Sequence, residues 1–280
     1  MNDRKIIVMT DLDGTLLDQD TFEYEPVKSY MAELLDSGIG IVLNSSKTWA
    51  ELEHFCRSFG RQLPYVSENG AAIYNADSLS GLSNSKSNPY QIFGRPVADL
   101  KKIWRNNIST DLRKKCLFLD ETEHSVQSSC LGLTGESLVR AMTRGYSRPF
   151  LFKGSDSEFK ELQKQANELQ LNVLRGGRVC NLSALHDKAN SIASFRNLVN
   201  SNLGKALIVG VGDSDNDLSM LEAADIACVI PRKNELPLTI KNKKTCQRVI
   251  HASRIAPFGW QEAVAGAIAF LKTEYRCSNG

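Results

Sequence analysis

Short apolar runs alternate with amphipathic stretches near both ends of the chain. Lys5 to Thr10 is apolar and β-branched, which predicts a buried strand, and Ile39 to Leu43 predicts a second one. Between them, Pro26 precedes apolar positions spaced along one helical face, and Gly38 ends this stretch. Lys205 to Val211 repeats the strand pattern late in the chain. Because buried strands separated by helices form parallel sheets covered on both faces, the pattern predicts a doubly wound α/β core.

The middle of the chain has a different residue composition. Residues from Asp77 to Pro89 are rich in Ser, Asn and Gly, which is typical of a linker or a long loop. Farther along, Ser155 with Glu158 predicts a capped helix, whereas the pattern between Gln91 and Tyr146 assigns no element. We therefore predict a catalytic core of residues 1–78 and 183–280, with an inserted α/β cap domain of residues 79–182.

The bulk composition argues against several classes of protein. The formal net charge is +2 over 280 residues, which gives no reason to expect a nucleic acid partner. No run approaches the roughly 18 apolar residues that a membrane span needs. The seven cysteines include no Cys-x-x-Cys pair, so neither zinc nor a disulfide framework is indicated. We expect a cytoplasmic protein, monomeric or homodimeric, with no membrane or nucleic acid partner.

Polar residues follow the predicted strands at the points where the strands end. Asp11 and Asp13 come after the first strand, Ser45 after the second, and Asp213 after the strand that ends at Val211. Ligands of open parallel sheets bind beyond these carboxyl ends. Carboxylates that converge on one pocket repel each other unless a cation lies between them, and oxygen ligands favour a hard ion. The sequence therefore predicts a Mg²⁺ site.

A cation in this position, with a lysine and a hydroxyl nearby, suits a phosphoryl group. Lys188 lies at the start of a helix just after the predicted cap, and Ser45 supplies the hydroxyl. Phosphate monoester hydrolysis is very slow without a catalyst, with enzymatic accelerations up to about 10²¹. A carboxylate nucleophile can divide the reaction into two steps through an aspartyl-phosphate.

Four motifs carry a resemblance to a known superfamily. DLDGTLLD, NSSKT, DKANSI and GVGDSDND, in this order, resemble the motifs of the haloacid dehalogenase superfamily. The resemblance implies that Asp11 is the nucleophile and a metal ligand, and that Asp13 is the general acid and base with its carbonyl on Mg²⁺. It further implies that Ser45 and Lys188 bind the phosphoryl group and that Asp213 is a metal ligand. Two more residues would support the metal, the lysine and the phosphate: Asn216 and Asp217.

A narrower resemblance points to a substrate class. LNSSKTWAEL, PYVSENGAAIY and LRGGRVCNL are similar to mannosyl-3-phosphoglycerate phosphatases, a subfamily that includes members acting on the glucosyl analogue. The resemblance implies a glycosyl-3-phosphoglycerate as the small-molecule substrate. Near the third motif these relatives tend to have Gly-Arg-Phe-x-His, where this chain has Gly-Arg-Val-Cys-Asn, and this difference concerns the sugar.

Further residues are candidates for substrate binding. Arg175 and Arg178 flank a Gly-Gly turn, and a guanidinium can bind the glycerate carboxylate through two hydrogen bonds. Glu68 and Asn69 form either a tight turn or the lip of a sugar pocket. Two alternatives stay open within the superfamily, a sucrose-phosphate-type or general sugar phosphatase and a phosphomutase. A non-catalytic phospholigand-binding protein on the same fold is the alternative from another class.

Overall fold

The computed structural model describes residues 4–80, 90–176, 178–202, 205–236, 238–240 and 248–278. The strands, in chain order, are β1 Lys5–Thr10, β2 Gly40–Asn44, β3 Tyr65–Ser67, β4 Ala72–Tyr74, β5 Gln91–Ile92, β6 Cys116–Phe118, β7 Ser147–Phe152, β8 Leu171–Arg175, β9 Cys180–Ala184, β10 Ala206–Gly212, β11 Ile226–Val229 and β12 Arg248–His251. The helices are α1 Glu25–Asp36, α2 Trp49–Phe59, α3 Val97–Asn107, α4 Thr110–Arg113, α5 His124–Leu131, α6 Gly135–Met142, α7 Asp156–Glu168, α8 Asn190–Asn202, α9 Leu218–Ala223 and α10 Phe258–Ser278.

The larger sheet has the strand order β12-β11-β10-β1-β2-β3-β4-β5. Every neighbouring pair from β12 to β3 is parallel, which confirms the predicted α/β fold. The last two pairs, β3 with β4 and β4 with β5, are antiparallel, so the sheet is mixed at one edge. The link between β3 and β4 is a tight turn, which is too short for the crossover that a parallel pair needs.

Alternate residues of the central strands face two separate hydrophobic clusters. On β1, Val8 packs with the cluster that includes α1, α2 and α10, whereas Ile7 and Met9 pack with α8 and α9. This alternation follows from the period of two along a strand. Helices therefore cover both faces of the larger sheet, and its carboxyl edge remains for ligands.

The helices of this sheet begin and end at recognisable signals. The Thr48 side chain accepts a hydrogen bond from the backbone of Glu51, whose carboxylate accepts one from the Thr48 backbone in return. Gly60 ends α2 with the left-handed conformation typical of a helix C-terminus. The same reciprocal cap, between Ser155 and Glu158, begins α7 as predicted.

The smaller sheet is entirely antiparallel and has the order β6-β7-β9-β8. One of its faces packs against α3 and α7 in a separate hydrophobic cluster that contains, among others, Leu100, Trp104, Phe150, Leu162 and Leu182. The predicted division into core and cap stays a proposal, which the existence of two sheets with separate clusters supports. The predicted linker lies mostly outside the described residues, and Ala76–Ser80 forms a short 3₁₀ turn.

None of the helices in the described part of the chain is long and apolar enough to cross a membrane.

Candidate active site

The carboxyl ends of β10, β1 and β2 lie side by side, because these strands are parallel neighbours. Asp11 follows β1, Asp213 follows β10, and Asp217 lies in the turn after it. One carboxylate oxygen from each of these three residues lies within 4.8 Å of the others, and all three residues are buried. The strand order thus brings together side chains that are about 200 positions apart in the sequence.

Lys188 reaches this cluster from the segment just before α8. Its Nζ lies 2.6 Å from Oδ1 of Asp11 and 2.6 Å from Oδ1 of Asp217, and the side chain is fully buried. Asn44 fixes the backbone of this lysine by donating a 2.8 Å hydrogen bond to its carbonyl. Burial opposes the charged form of Lys188, but Asp11 and Asp217 together outweigh it and raise the pKa of the lysine.

Asp11 carries the most perturbed carboxyl of the cluster. Burial raises its pKa to about 8, with further contributions from Asp217, Asp213 and Asp13, whereas Lys188 acts in the opposite direction. Desolvation disfavours a charged carboxylate, and neighbouring negative charges add to that effect. Burial is the main cause of this shift, and the neighbouring carboxylates add to it.

The other two carboxylates, those of Asp217 and Asp213, differ in their hydrogen-bond partners. Asp217 binds Lys188 with one oxygen, and its other oxygen accepts from the backbone N–H groups of Asp213 and Ser214, at 3.0 and 3.1 Å. Both oxygens of Asp217 are therefore used in orienting the lysine and the loop. Asp213 accepts a 2.8 Å hydrogen bond from Thr15 and forms an ion pair with Arg232.

The donor set suits a divalent cation of the oxygen-binding kind. Asp11 and Asp213 each offer a carboxylate to the cluster, and the backbone approaches Asp213 closely at Gly14. A Cβ at Gly14 would lie 2.8 Å from Oδ2 of Asp213, and the φ of this residue is +82°. Hard oxygen ligands and excess negative charge favour Mg²⁺ over metals that prefer sulfur or nitrogen.

Asp13 has one occupied oxygen and one free oxygen. Its Oδ2 lies 2.8 Å from Nζ of Lys47, whereas its Oδ1 is buried and has no hydrogen-bond partner among the described residues. Burial lowers the pKa of Lys47, whereas Asp13 and Glu51 raise it. The net effect is a raised pKa for Lys47. A carboxyl with a free oxygen beside a cation is well placed to exchange a proton with a bound ligand.

A cavity of about 570 Å³ opens from this cluster toward the smaller sheet. Asp11 and Asp13 line it together with residues of β7, β8 and the turn before β9. Of the candidate substrate-binding residues, three line the cavity: Asn69, Arg175 and Arg178. Asn216, predicted to support the metal and the phosphate, lines it as well. Arg175 already forms a 2.9 Å ion pair with Asp156 and lies 4.4 Å over the ring of Phe159. Arg178 donates to the carbonyl of Leu131.

Two predicted site residues, Ser45 and Glu68, belong neither to the carboxylate cluster with Lys188 nor to the lining of the cavity. Ser45 is fully buried, and its Oγ accepts a hydrogen bond from the backbone N–H of Lys47, whereas the neighbouring Ser46 lines the cavity. The prediction that Glu68 lies at the lip of a sugar pocket does not fit the structure. Its carboxylate is buried and accepts hydrogen bonds from the segment that enters β7, so it holds the chain in place.

The sequence analysis missed four residues at the site. Arg232 follows the end of β11, so the same strand-end rule that selected the aspartates applies to it. Lys47 lies within the NSSKT motif and could have been found there. Arg144 lies in the segment that received no predicted element, and its guanidinium donates to the carbonyl of Ser46. The fourth, Asn181, lies on β9 and lines the cavity.

Comparison with known proteins agrees with this geometry. A family model of haloacid dehalogenase-like hydrolases matches residues 8–92. A glucosyl-3-phosphoglycerate/mannosyl-3-phosphoglycerate phosphatase of Methanococcoides burtonii is 27% identical over 273 residues, which cover 94% of this chain and 97% of that protein. The matched region therefore spans nearly the whole of both chains.

Solved structures resemble the fold over most of the chain. A protein of Thermoplasma acidophilum has a TM-score of 0.62 at 15% identity, covering 92% of this chain and 96% of its own. BT4131, a subclass IIB sugar phosphatase of the haloacid dehalogenase superfamily, has a TM-score of 0.60 at 15% identity, covering 96% and 99%. At these identities the matches show the fold.

The family match makes this chain similar to haloacid dehalogenase-like hydrolases, as the four motifs predicted, and the solved structures show the same fold. Within this class the chain is a phosphoric monoester hydrolase.

Proposed function

We propose that this enzyme hydrolyses a glycosyl-3-phosphoglycerate, mannosyl or glucosyl, to the glycosylglycerate and inorganic phosphate, with Mg²⁺ as cofactor. The observation that carries the proposal is the shared cavity. Asp11 and Asp13 line it together with arginines from the segments around the smaller sheet. A substrate with a phosphate and a carboxylate matches this distribution of charge, and the relative from Methanococcoides burtonii acts on such esters.

The residues support a two-step reaction. An oxygen of Asp11 attacks phosphorus and forms an aspartyl-phosphate, while the bond from phosphorus to the ester oxygen breaks and Asp13 gives its proton to that oxygen. Asp13 then takes a proton from water, which attacks phosphorus, and the bond to Asp11 breaks to release phosphate. Lys188, held by Asp217, lies beside Asp11 and balances the negative charge that the phosphoryl group brings.

Asp11 and Asp213 would hold the Mg²⁺, together with the backbone carbonyl of Asp13. The ion supplies neutralisation of the phosphoryl charge when it is bound. Asp217 is suited to orient Lys188, because one of its oxygens accepts a hydrogen bond from Nζ of the lysine and backbone N–H groups fix the other.

Arg178 is the candidate for the glycerate carboxylate. It is exposed at the cavity and has no carboxylate partner among the described residues, whereas the charge of Arg175 is already paired with Asp156. Closure of the smaller sheet and its helices over the substrate would exclude water from the first step.

The test is phosphate release from mannosyl- and glucosyl-3-phosphoglycerate, with p-nitrophenyl phosphate as a substrate that has no carboxylate. We expect the wild type to prefer a glycosyl-3-phosphoglycerate. Arg178→Ala should lower kcat/KM by about ten- to a hundredfold on that substrate, because charge-assisted hydrogen bonds contribute about 1.5–3 kcal/mol. Arg175→Ala is the matched control and should have a smaller effect. Equal losses of the Arg178 variant on both kinds of substrate would contradict the assignment.

A further inference from the structure

Three side chains from three neighbouring strands lie side by side along the cavity. Asn181 on β9 is paired with Pro149 on β7 and with Leu174 on β8. Directly paired residues of a sheet point to the same face, and all three line the cavity that contains Asp11. Adjacent residues point to the opposite face and are buried in the hydrophobic cluster with α3 and α7: Phe150, Val173 and Leu182.

This surface combines hydrocarbon with one unpaired acceptor. Pro149 offers no side-chain polar group, and Leu174 is 44% exposed although it is a large apolar residue. Between them, Oδ1 of Asn181 is buried and has no hydrogen-bond partner in the described part of the chain. Buried polar atoms are nearly always paired in folded proteins, so an unpaired one beside a cavity calls for an explanation.

The chemistry of the unpaired atom restricts what can bind it. An amide oxygen only accepts hydrogen bonds, so its partner must be a donor. Phosphate and carboxylate groups have no donor when they are ionised, and both are repelled by the negative end of the amide dipole. The anionic parts of the substrate therefore belong with the lysines and arginines. A neutral hydroxyl group suits Asn181, and the C–H face of a sugar ring suits Pro149 and Leu174.

We propose that Asn181 is a specificity-determining residue that accepts a hydrogen bond from a hydroxyl of the sugar, whose ring lies on Pro149 and Leu174. This role rests on the proposed function and deepens it, because it assigns the sugar to the smaller sheet and the phosphate to the larger one. Discrimination by such a residue is strong, since a polar group in the site that loses its partner carries the full penalty of burial.

The experiment compares two substrates that differ only in the sugar. Glucosyl- or mannosyl-3-phosphoglycerate carries it, whereas 3-phosphoglycerate has the same phosphate and carboxylate without it. Asn181→Ala should lower kcat/KM on the glycosyl substrate by about 5- to 100-fold and change it less than twofold on 3-phosphoglycerate. Asn172→Ala is the matched control, because Asn172 lies on β8 of the same sheet but does not line the cavity.

Asn181→Asp is a second variant, which keeps the shape and the acceptor oxygen. Its added negative charge should weaken the binding of both anionic substrates alike. The ratio of the two kcat/KM values should therefore stay within about threefold of the wild-type ratio. Inhibition by the glycosylglycerate product, which has no phosphate, gives a readout independent of turnover. Its inhibition constant should rise in Asn181→Ala to the same degree as kcat/KM falls.

Each result has a definite meaning. Suppose that the wild type prefers the glycosyl substrate, but Asn181→Ala lowers kcat/KM equally on both substrates or lowers it on neither. The role of Asn181 is then overturned, and the proposed function stands. If the wild type shows no preference for the glycosyl substrate over 3-phosphoglycerate, the proposed substrate class is overturned, and the role of Asn181 in recognising a sugar is overturned with it.

Discussion

Glu68 is a buried carboxylate whose removal tests how the two sheets are held together. Its two oxygens accept hydrogen bonds from the backbone N–H groups of Gly145 and Tyr146, at 2.9 and 3.1 Å, and from Oγ of Ser147. Its backbone carbonyl lies 3.1 Å from Nε2 of His186, on the chain segment that returns to the larger sheet. One residue of the turn after β3 thus contacts the segment that enters β7 of the smaller sheet and the segment that leads from β9 back to the larger sheet.

Glu68→Ala removes the acceptor for three donors at once. Each buried donor left without a partner costs about 1–3 kcal/mol, and water that enters the space left by the carboxylate satisfies part of the loss. We expect the free energy of unfolding to fall by about 3–5 kcal/mol. The backbone contributes little to this difference, because Glu and Ala tolerate the positive φ of +49° equally poorly. Glu68→Gln keeps one carbonyl oxygen and should lose about half as much.

Thermal unfolding followed by circular dichroism measures the effect. For a chain of this size a loss of 3–5 kcal/mol lowers Tm by about 6–10 °C. Glu33→Ala, at an exposed position of α1, is the control and should change the free energy of unfolding by less than about 0.5 kcal/mol. A Glu68→Ala variant as stable as this control would refute the view that the carboxylate holds the segment that enters β7.

Three further predictions concern the phosphate site. Asp11→Asn should abolish phosphate release with an unchanged circular dichroism spectrum, since Asn keeps the volume but is no nucleophile; near wild-type turnover would exclude the covalent route. Chelation with EDTA should abolish activity, and added Mg²⁺ should restore it. Full activity of an enzyme in which metal analysis finds no bound metal would contradict the metal site. Gly70→Ala should lower kcat at least tenfold, because its Cβ would lie 1.9 Å from the carbonyl oxygen of Asp187, next to the phosphate-binding lysine. Gly38→Ala has a similar positive φ and no atom within 4 Å of the added Cβ, so it should lose stability without this loss of kcat.

The chemistry at the larger sheet was predictable because it depends on where strands end. The apolar runs at Lys5–Thr10 and Ala206–Gly212 are strong signals of buried strands, and the residues after them point to one edge once the strands are parallel. What the pattern does not contain is the order of the strands. That β10 lies directly beside β1 is a tertiary fact, and it is what brings Asp213 to Asp11.

The sequence pattern predicted no helix or strand between Gln91 and Tyr146, and the structure gives the physical reason. Several of its elements are short, such as β6 with three residues and α4 with four, so they contain too few turns or alternations to produce a period. The longer helix α3 has no side-chain cap to mark its start. Tertiary contacts stabilise them instead. Trp104 of α3 lies with its ring centroid 5.1 Å from that of Phe118 on β6, in an edge-on arrangement. Without the partner strand, neither residue indicates which element it belongs to.

Recognition at the smaller sheet was the least predictable part for the same reason. In the sequence, Asn181 is visible only as a departure from Gly-Arg-Phe-x-His, and the role proposed for it depends on Pro149 and Leu174, which only strand pairing brings beside it. The catalytic residues differ, because a carboxylate after a strand is informative by itself. A site at strand ends can therefore be predicted from sequence, whereas a surface that spans several strands can be predicted only when the strand register is known. The proposed phosphate site and the proposed sugar surface are one case of each.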